Sequence, residues 1–264
     1  MDLYVTEAGE GPAVVLLHGL TATHRYVVMG SKALERGGHR VIAYDARGHG
    51  QSPAAPQPDD YGYEALVGDL VRVMDERGIE RAVLAGASMG AHTLLRLALE
   101  QPDRVAGLVV ITPAYDPAEN DDPARLARWD ALADGLRRGG VEGFVEAYGD
   151  PGVPDEWRDT VMKVIRQRMI QHEHPEALAD ALEAVPRSTP FASLDDLERI
   201  DTPAVVVADR DEADPGHPLA IGEEYARRIP HARLVVEEQG KSPIAWQGSQ
   251  LSKVIAGVVE EAGL

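Results

Sequence analysis

Five consecutive residues, Gly86-Ala87-Ser88-Met89-Gly90, carry the clearest chemical signal in this chain of 264 residues. A serine hydroxyl is well placed as a nucleophile when a tight strand-to-helix turn holds it above a sheet, at the positive end of the helix that follows. Such a turn strains the backbone of its central residue, and glycines two places before and two after it remove Cβ atoms that would clash across the turn. The flanks fit: the apolar run Ala82 to Ala85 comes directly before, and a helical pattern starts near Ala91 directly after. Attack on a carbonyl also needs donors for the oxyanion. His18-Gly19-Leu20 follows an earlier apolar run, its glycine allows close backbone approach, and the amides of Leu20 and Met89 are the expected donors. Each such donor can contribute roughly 3 kcal/mol of transition-state stabilisation. His18 itself reads as a buried turn histidine bonded to backbone.

Positioning these residues requires a sheet with helices between its strands. Short β-branched runs recur at Ala13 to Leu17, Arg40 to Asp45, Arg81 to Gly86, Gly107 to Thr112, Ala204 to Asp209 and Ala232 to Glu238. Helical spacing fills Tyr63 to Arg77, Gly90 to Leu99, Leu219 to Arg228 and Leu251 to Glu261. Alternation of this kind predicts an α/β fold with a mostly parallel, doubly wound sheet. The alternation stops between residues 116 and 187, where only helical patterns appear: Ala124 to Arg138, Val141 to Tyr148, Glu156 to Gln171 and Pro175 to Ala184. The expected organisation is a core of residues 1–115 and 188–264, with residues 116–187 inserted as a helical cap over the carboxyl edge of the sheet, where ligands bind in such folds. Trp129, Phe144, Tyr148, Trp157, Met162 and Met169 either line an apolar pocket beneath it or form its own core.

Composition narrows the partners. Acidic residues outnumber basic ones by 44 to 26, a formal net charge of −18 that repels nucleic-acid phosphates and anionic membranes. The chain has no cysteine, which excludes disulfides, thiolate nucleophiles and cysteine-bound metal. His172 and His174 sit beside Glu173 and Glu176 without an evident third ligand, so neither a metal nor a cofactor is expected. No apolar run near the start suits a signal segment, and a cytoplasmic location is the expectation. The expected partner is a small-molecule substrate. The apolar face of the inserted helices can bury itself against the sheet or against a second subunit, which leaves a homo-oligomer open.

His18-Gly19, Asp45-x-Arg47-Gly48-x-Gly50-x-Ser52 and Gly86-x-Ser88-x-Gly90, in this order and spacing, resemble the α/β-hydrolase superfamily. The resemblance covers the core on both sides of the insertion and implies an α/β-hydrolase fold and a Ser-His-Asp hydrolase. It puts the triad acid two residues past the post-cap strand, at Asp211, with Asp209, Glu212 and Asp214 as close rivals and Asp116 as an alternative used by some relatives. The Asp45 to Ser52 stretch reads as a turn, with Asp45 and Arg47 bonded locally.

At the third member the chain departs from the pattern. The family carries its histidine in a glycine-histidine-x-proline turn after the last strand, whereas this chain reads Gln239-Gly240-Lys241-Ser242-Pro243 and has no histidine after His231. Lys241 at that position works as a base only if its pKa falls from about 10.4 to about 7, roughly 4.6 kcal/mol of differential destabilisation that an aspartate beside it opposes. His217, six residues past Asp211, needs no such shift and ranks ahead of Lys241; His92, one turn after the serine, reads as packed inside its helix. The leading expectation is a cofactor-independent hydrolase of a small ester, lactone or related acyl substrate. The alternatives are a ligand-binding pseudoenzyme and a lyase with Lys241 as a fixed cation.

Overall fold

The structure, a computed structural model, describes residues 1–240 and 246–264. Seven strands form one sheet: β1 Val5–Ala8, β2 Ala13–Leu17, β3 Arg40–Tyr44, β4 Ala82–Ala87, β5 Val105–Ile111, β6 Ala204–Ala208 and β7 Arg233–Val236. Their order is β1-β3-β2-β4-β5-β6-β7, parallel throughout except for the antiparallel β1–β3 pair. The six expected strands are all present. The edge strand β1 was not expected, and its half-exposed and exposed residues show why, since it lacks the continuous apolar run of a strand covered on both faces.

The central strands are apolar at every position because helices cover both sides. On one face, Val15, Leu17, Ile42, Leu84 and Val110 pack against α2 Tyr63–Glu76, α3 Met89–Glu100 and Tyr225 of α7 Leu219–Arg228. On the other, Val14, Leu16, Val83, Val109 and Val205 meet Leu34 of α1 Ala33–Arg36 and Leu251, Ile255 and Val258 of α8 Gly248–Glu261. The alternation of Val14 and Val15 between the two clusters is the period of a strand made visible.

Between β5 and β6 the chain forms α4 Pro123–Tyr148, α5 Asp155–Met169 and α6 Pro175–Ala184. Gly140, at φ 59°, ψ −142°, breaks α4 into the two helical stretches its sequence suggests. A third apolar cluster joins these helices to the core: Leu132, Leu136, Phe144, Leu178 and Leu182 pack with Leu20, Ala46 and Met89. The two residues expected to donate to an oxyanion therefore lie directly beneath the inserted helices. Among the described residues, no helix is long and apolar enough to cross a membrane.

Candidate active site

Ser88 stands at the junction of β4 and α3 with φ 49° and ψ −112°, a left-handed conformation a serine adopts only when its surroundings impose it. Its N–H donates to the Ile111 carbonyl and its carbonyl accepts from His92 N–H, which fixes the turn at both ends. The glycine requirement is steric. A Cβ on Gly86 would lie 2.5 Å from the Gly90 carbonyl carbon, and one on Gly90 would lie 2.3 Å from the Leu17 carbonyl oxygen. The Ser88 side chain makes no hydrogen bond to any described residue and is partly exposed, so its hydroxyl is free to meet a substrate.

The His18-Gly19-Leu20 loop lies against this turn, since a Cβ on Gly19 would sit 3.5 Å from Ser88 Cβ. His18 shapes the loop without reaching the chemistry. Its Nε2 accepts from Ala46 N–H at 2.9 Å, so the proton sits on Nδ1, which donates to the Gly19 carbonyl at 2.8 Å. A trans peptide points its C=O and N–H in opposite directions, and this bond thereby sets the direction of Leu20 N–H. Burial, then the neighbouring His49, hold the His18 imidazole neutral, with its pKa down to about 3. Met89 N–H is the first amide of α3 and has no earlier turn of helix to donate to.

The loop after β6 contains the expected carboxylates, and the structure separates their roles. Asp211 is exposed and accepts from Leu219 N–H at 2.8 Å, so it caps the start of α7 and does not contact His217. Glu212 accepts from Gly240 N–H, and Asp116 closes a turn through Ala118 N–H. Asp214 is the residue that meets His217: Nδ1 of the ring donates to Oδ2 at 2.7 Å, and His217 N–H donates to the Asp214 carbonyl at 3.1 Å. The i,i+3 spacing was visible in the sequence, but among four neighbouring carboxylates it could not single out this one. Burial lowers the His217 pKa, and the Asp214 charge and hydrogen bond outweigh it, leaving the ring above the ordinary imidazole value. His217 also acts electrostatically on His92, one turn into α3 from Ser88. Lys241 lies outside the described residues.

Asp209 was a rival for the acid and has a different character. It is 7% exposed and lies beside the Trp246 indole N–H, which favours its charge only weakly. Burial, then the charges of Asp214 and Glu237, push its pKa up to about 7. His92 is packed inside α3 as expected: Nε2 accepts from Ala114 and Tyr115 N–H, and the opposite nitrogen donates to Tyr63 Oη at 3.0 Å. His172, weighed as a metal ligand, instead accepts from Gly50 N–H at 3.0 Å, and no cluster of metal-ligating residues exists among the described residues. Arg47, expected to bond locally, reaches the buried Asp69 on α2 with two hydrogen bonds of 2.7 and 2.8 Å. Asp45 accepts from Gln51 N–H within the turn and from the main chain and ring of His24, 21 residues earlier. A polar cavity of about 150 Å³ beside it, lined by Tyr4, Thr23, His24 and Gln171, includes none of the residues around Ser88.

The alpha/beta hydrolase fold family matches residues 12–148, just over half of the chain. The chain belongs to the α/β-hydrolase family. It is 44% identical over 101 residues to the sn-1-specific diacylglycerol lipase of Mus musculus, a match covering 38% of this chain and 32% of that one. The chain thus spans about a third of the length of the curated relatives it matches first. Solved structures match along nearly the whole chain. A thermophilic esterase from Thermogutta terrifontis, with malate bound, superposes with a TM-score of 0.80 at 26% identity, covering 98% of this chain and 93% of that one. The enol-lactonase from Burkholderia xenovorans LB400 gives 0.71 at 25% identity, with 99% and 95% covered.

Proposed function

We propose that this α/β-hydrolase is a cofactor-independent serine hydrolase of a small ester, lactone or related acyl substrate, with residues 116–187 acting as a cap over its site. The observation that carries the reading is the Asp214–His217 pair at 2.7 Å, on the same sheet edge as the strained Ser88 turn. It supplies from one short loop the base that the usual triad position lacks. In the reaction, His217 Nε2 takes the Ser88 proton as Oγ attacks the carbonyl carbon, and the Leu20 and Met89 amides receive the oxyanion. Asp214 stabilises the imidazolium and fixes its tautomer, and the ring then returns the proton to the departing alkoxide. Water hydrolyses the acyl-enzyme by the same steps in reverse roles. The names of the relatives, a lipase, an esterase and a lactonase among them, support acyl transfer to water.

Turnover of p-nitrophenyl acetate tests this. The wild type is expected to hydrolyse it, and Ser88→Ala and His217→Ala are each expected to lower kcat by ~10³-fold or more. Asp211→Asn should stay within a few-fold of wild type. Full activity in Ser88→Ala would overturn the reading.

A further inference from the structure

We propose that the substrate of the Ser88 site bears a carboxylate, and that Arg168, in the last turn of α5, is the side chain that binds it. The inference rests on the hydrolase reading above and adds the charge of the substrate to it.

Arg168 is a cation without an anion in a protein rich in anions. Acidic residues exceed basic ones by 44 to 26, and most partly buried arginines elsewhere find carboxylates, as Arg137 meets Asp180 and Glu183 and Arg47 meets Asp69, while Arg210 donates from Nε to the Glu237 carbonyl. Among the described residues, the arginines with no carboxylate within 4 Å are mostly exposed, as Arg36 and Arg138 are, and water satisfies them. Arg125 is partly buried but donates to the carbonyls of Asn120 and Pro186. Arg168 has neither solution. It is partly buried, and its Nε is buried with no hydrogen-bond partner. An N–H left in that state is unfavourable, and one aimed at a ligand is a common reason for it to persist.

Its place in the fold suits substrate recognition. The guanidinium carbon stands 5.3 Å from the centre of the Tyr26 ring, which holds the planar fork in a fixed orientation. Tyr26 belongs to the segment that runs on from Leu20, so Arg168 links the inserted helices to the loop that carries an oxyanion donor. Its charge acts on Asp214, His217 and Tyr148, which brings it to the sheet edge where the proposed base sits. Asp214 does not serve as its counter-ion. That carboxylate accepts from His217 Nδ1 and makes no ion pair with Arg168 within 4 Å. The two Nη groups make no hydrogen bond to any described residue, and a planar guanidinium is the group best shaped to take a carboxylate in two parallel hydrogen bonds. The overall charge of −18 repels anions at long range, so a local cation here acts as a selector at contact distance.

A matched pair of esters tests the assignment: the mono-p-nitrophenyl ester of glutarate, with a free carboxylate, and p-nitrophenyl pentanoate, of the same length but neutral. The wild type is expected to prefer the charged ester by tenfold or more in kcat/KM, mainly through KM. Arg168→Gln should erase that preference, lowering kcat/KM for the charged ester at least tenfold more than for pentanoate, Arg168→Lys should restore part of it, and the exposed Arg138→Gln should change nothing. A wild type that favours the neutral ester, or an Arg168→Gln that loses both esters equally, would overturn the proposal. If neither ester is hydrolysed in a Ser88-dependent way, the hydrolase reading fails and the anion site is read separately, by calorimetric binding of glutarate monoamide. Binding weakened tenfold or more in Arg168→Gln supports the site, and equal or absent binding in both proteins refutes it.

Discussion

The pairing of His217 with Asp214 sets how the proposed reaction responds to pH. Burial favours the neutral ring, whereas the Asp214 carboxylate at 2.7 Å and the Asp209 charge favour the imidazolium, and the net shift is upward from 6.5. A base must be neutral to accept a proton, so kcat/KM is expected to rise through a pH above 6.5. Asp214→Asn should move that limb down and cost ~10²-fold or more in rate, because the ring loses both its charge partner and its fixed tautomer. Rate profiles of the two proteins decide it, and an unmoved limb in Asp214→Asn would assign the base elsewhere. Asp209 makes an opposite prediction, about stability. Its pKa is raised from 3.8 to about 7. Its favourable contribution is therefore complete below pH 3.8 and is lost as the pH rises through about 7, above which a charged carboxylate is buried beside Asp214 and Glu237. Asp209→Asn is expected to stabilise the fold at pH 8 by up to about 4 kcal/mol, and to do little at pH 4, as denaturant midpoints at the two values would show.

At the level of elements, the turn between β4 and α3 tolerates no side chain at either of its glycines. Gly90→Ala places a methyl group 2.3 Å from the Leu17 carbonyl oxygen, a backbone atom that cannot swing away. The expected cost is about 3 kcal/mol in chemical denaturation, together with loss of turnover as Ser88 is displaced. Gly139→Ala, with no atom within 4 Å of the added Cβ, is the matching control and should be tolerated. The same turn was legible in the sequence because its requirements are local: a strand, a serine, two glycines and a helix, all within twenty residues. The strands were legible because a sheet covered on both faces must be apolar at every position, and β1 escaped notice because an edge strand need not be. The acid was less legible. Asp209, Asp211, Glu212 and Asp214 have similar local signatures, and only packing decides that one caps α7, one meets His217 and one is buried. Arg168 carried no signal at all, since Tyr26, its stacking partner, is 142 positions away in the chain.

At the scale of the whole molecule, four buried histidines set the response to acid. His18, His92 and His172 are each buried neutral, with burial first among the causes that bring their pKa values to about 3, and His49 is lowered in the same way. Below pH 6.5 the unfolded chain binds protons at these sites and the folded chain does not, so stability falls as the pH drops from 6.5 toward 3. Each histidine contributes about 1.4 kcal/mol per pH unit, three together about 4 kcal/mol per unit, and above pH 3.8 the protonation of Asp209 offsets about 1.4 kcal/mol per unit of that. Against a typical net stability of about 5–15 kcal/mol, acid unfolding is expected within a few pH units of 6.5. Thermal melting at pH 7.5 and pH 5 checks this, and a Tm that holds or rises at pH 5 would refute it. The central claim, that Ser88 is an activated nucleophile served by His217, is tested most directly by mass spectrometry after brief exposure to a fluorophosphonate. The expected result is a single adduct on the peptide containing Ser88, absent in Ser88→Ala and formed at least ~10²-fold more slowly in His217→Ala. An adduct elsewhere, no adduct at any pH, or labelling of Ser88 at an unchanged rate in His217→Ala would contradict it.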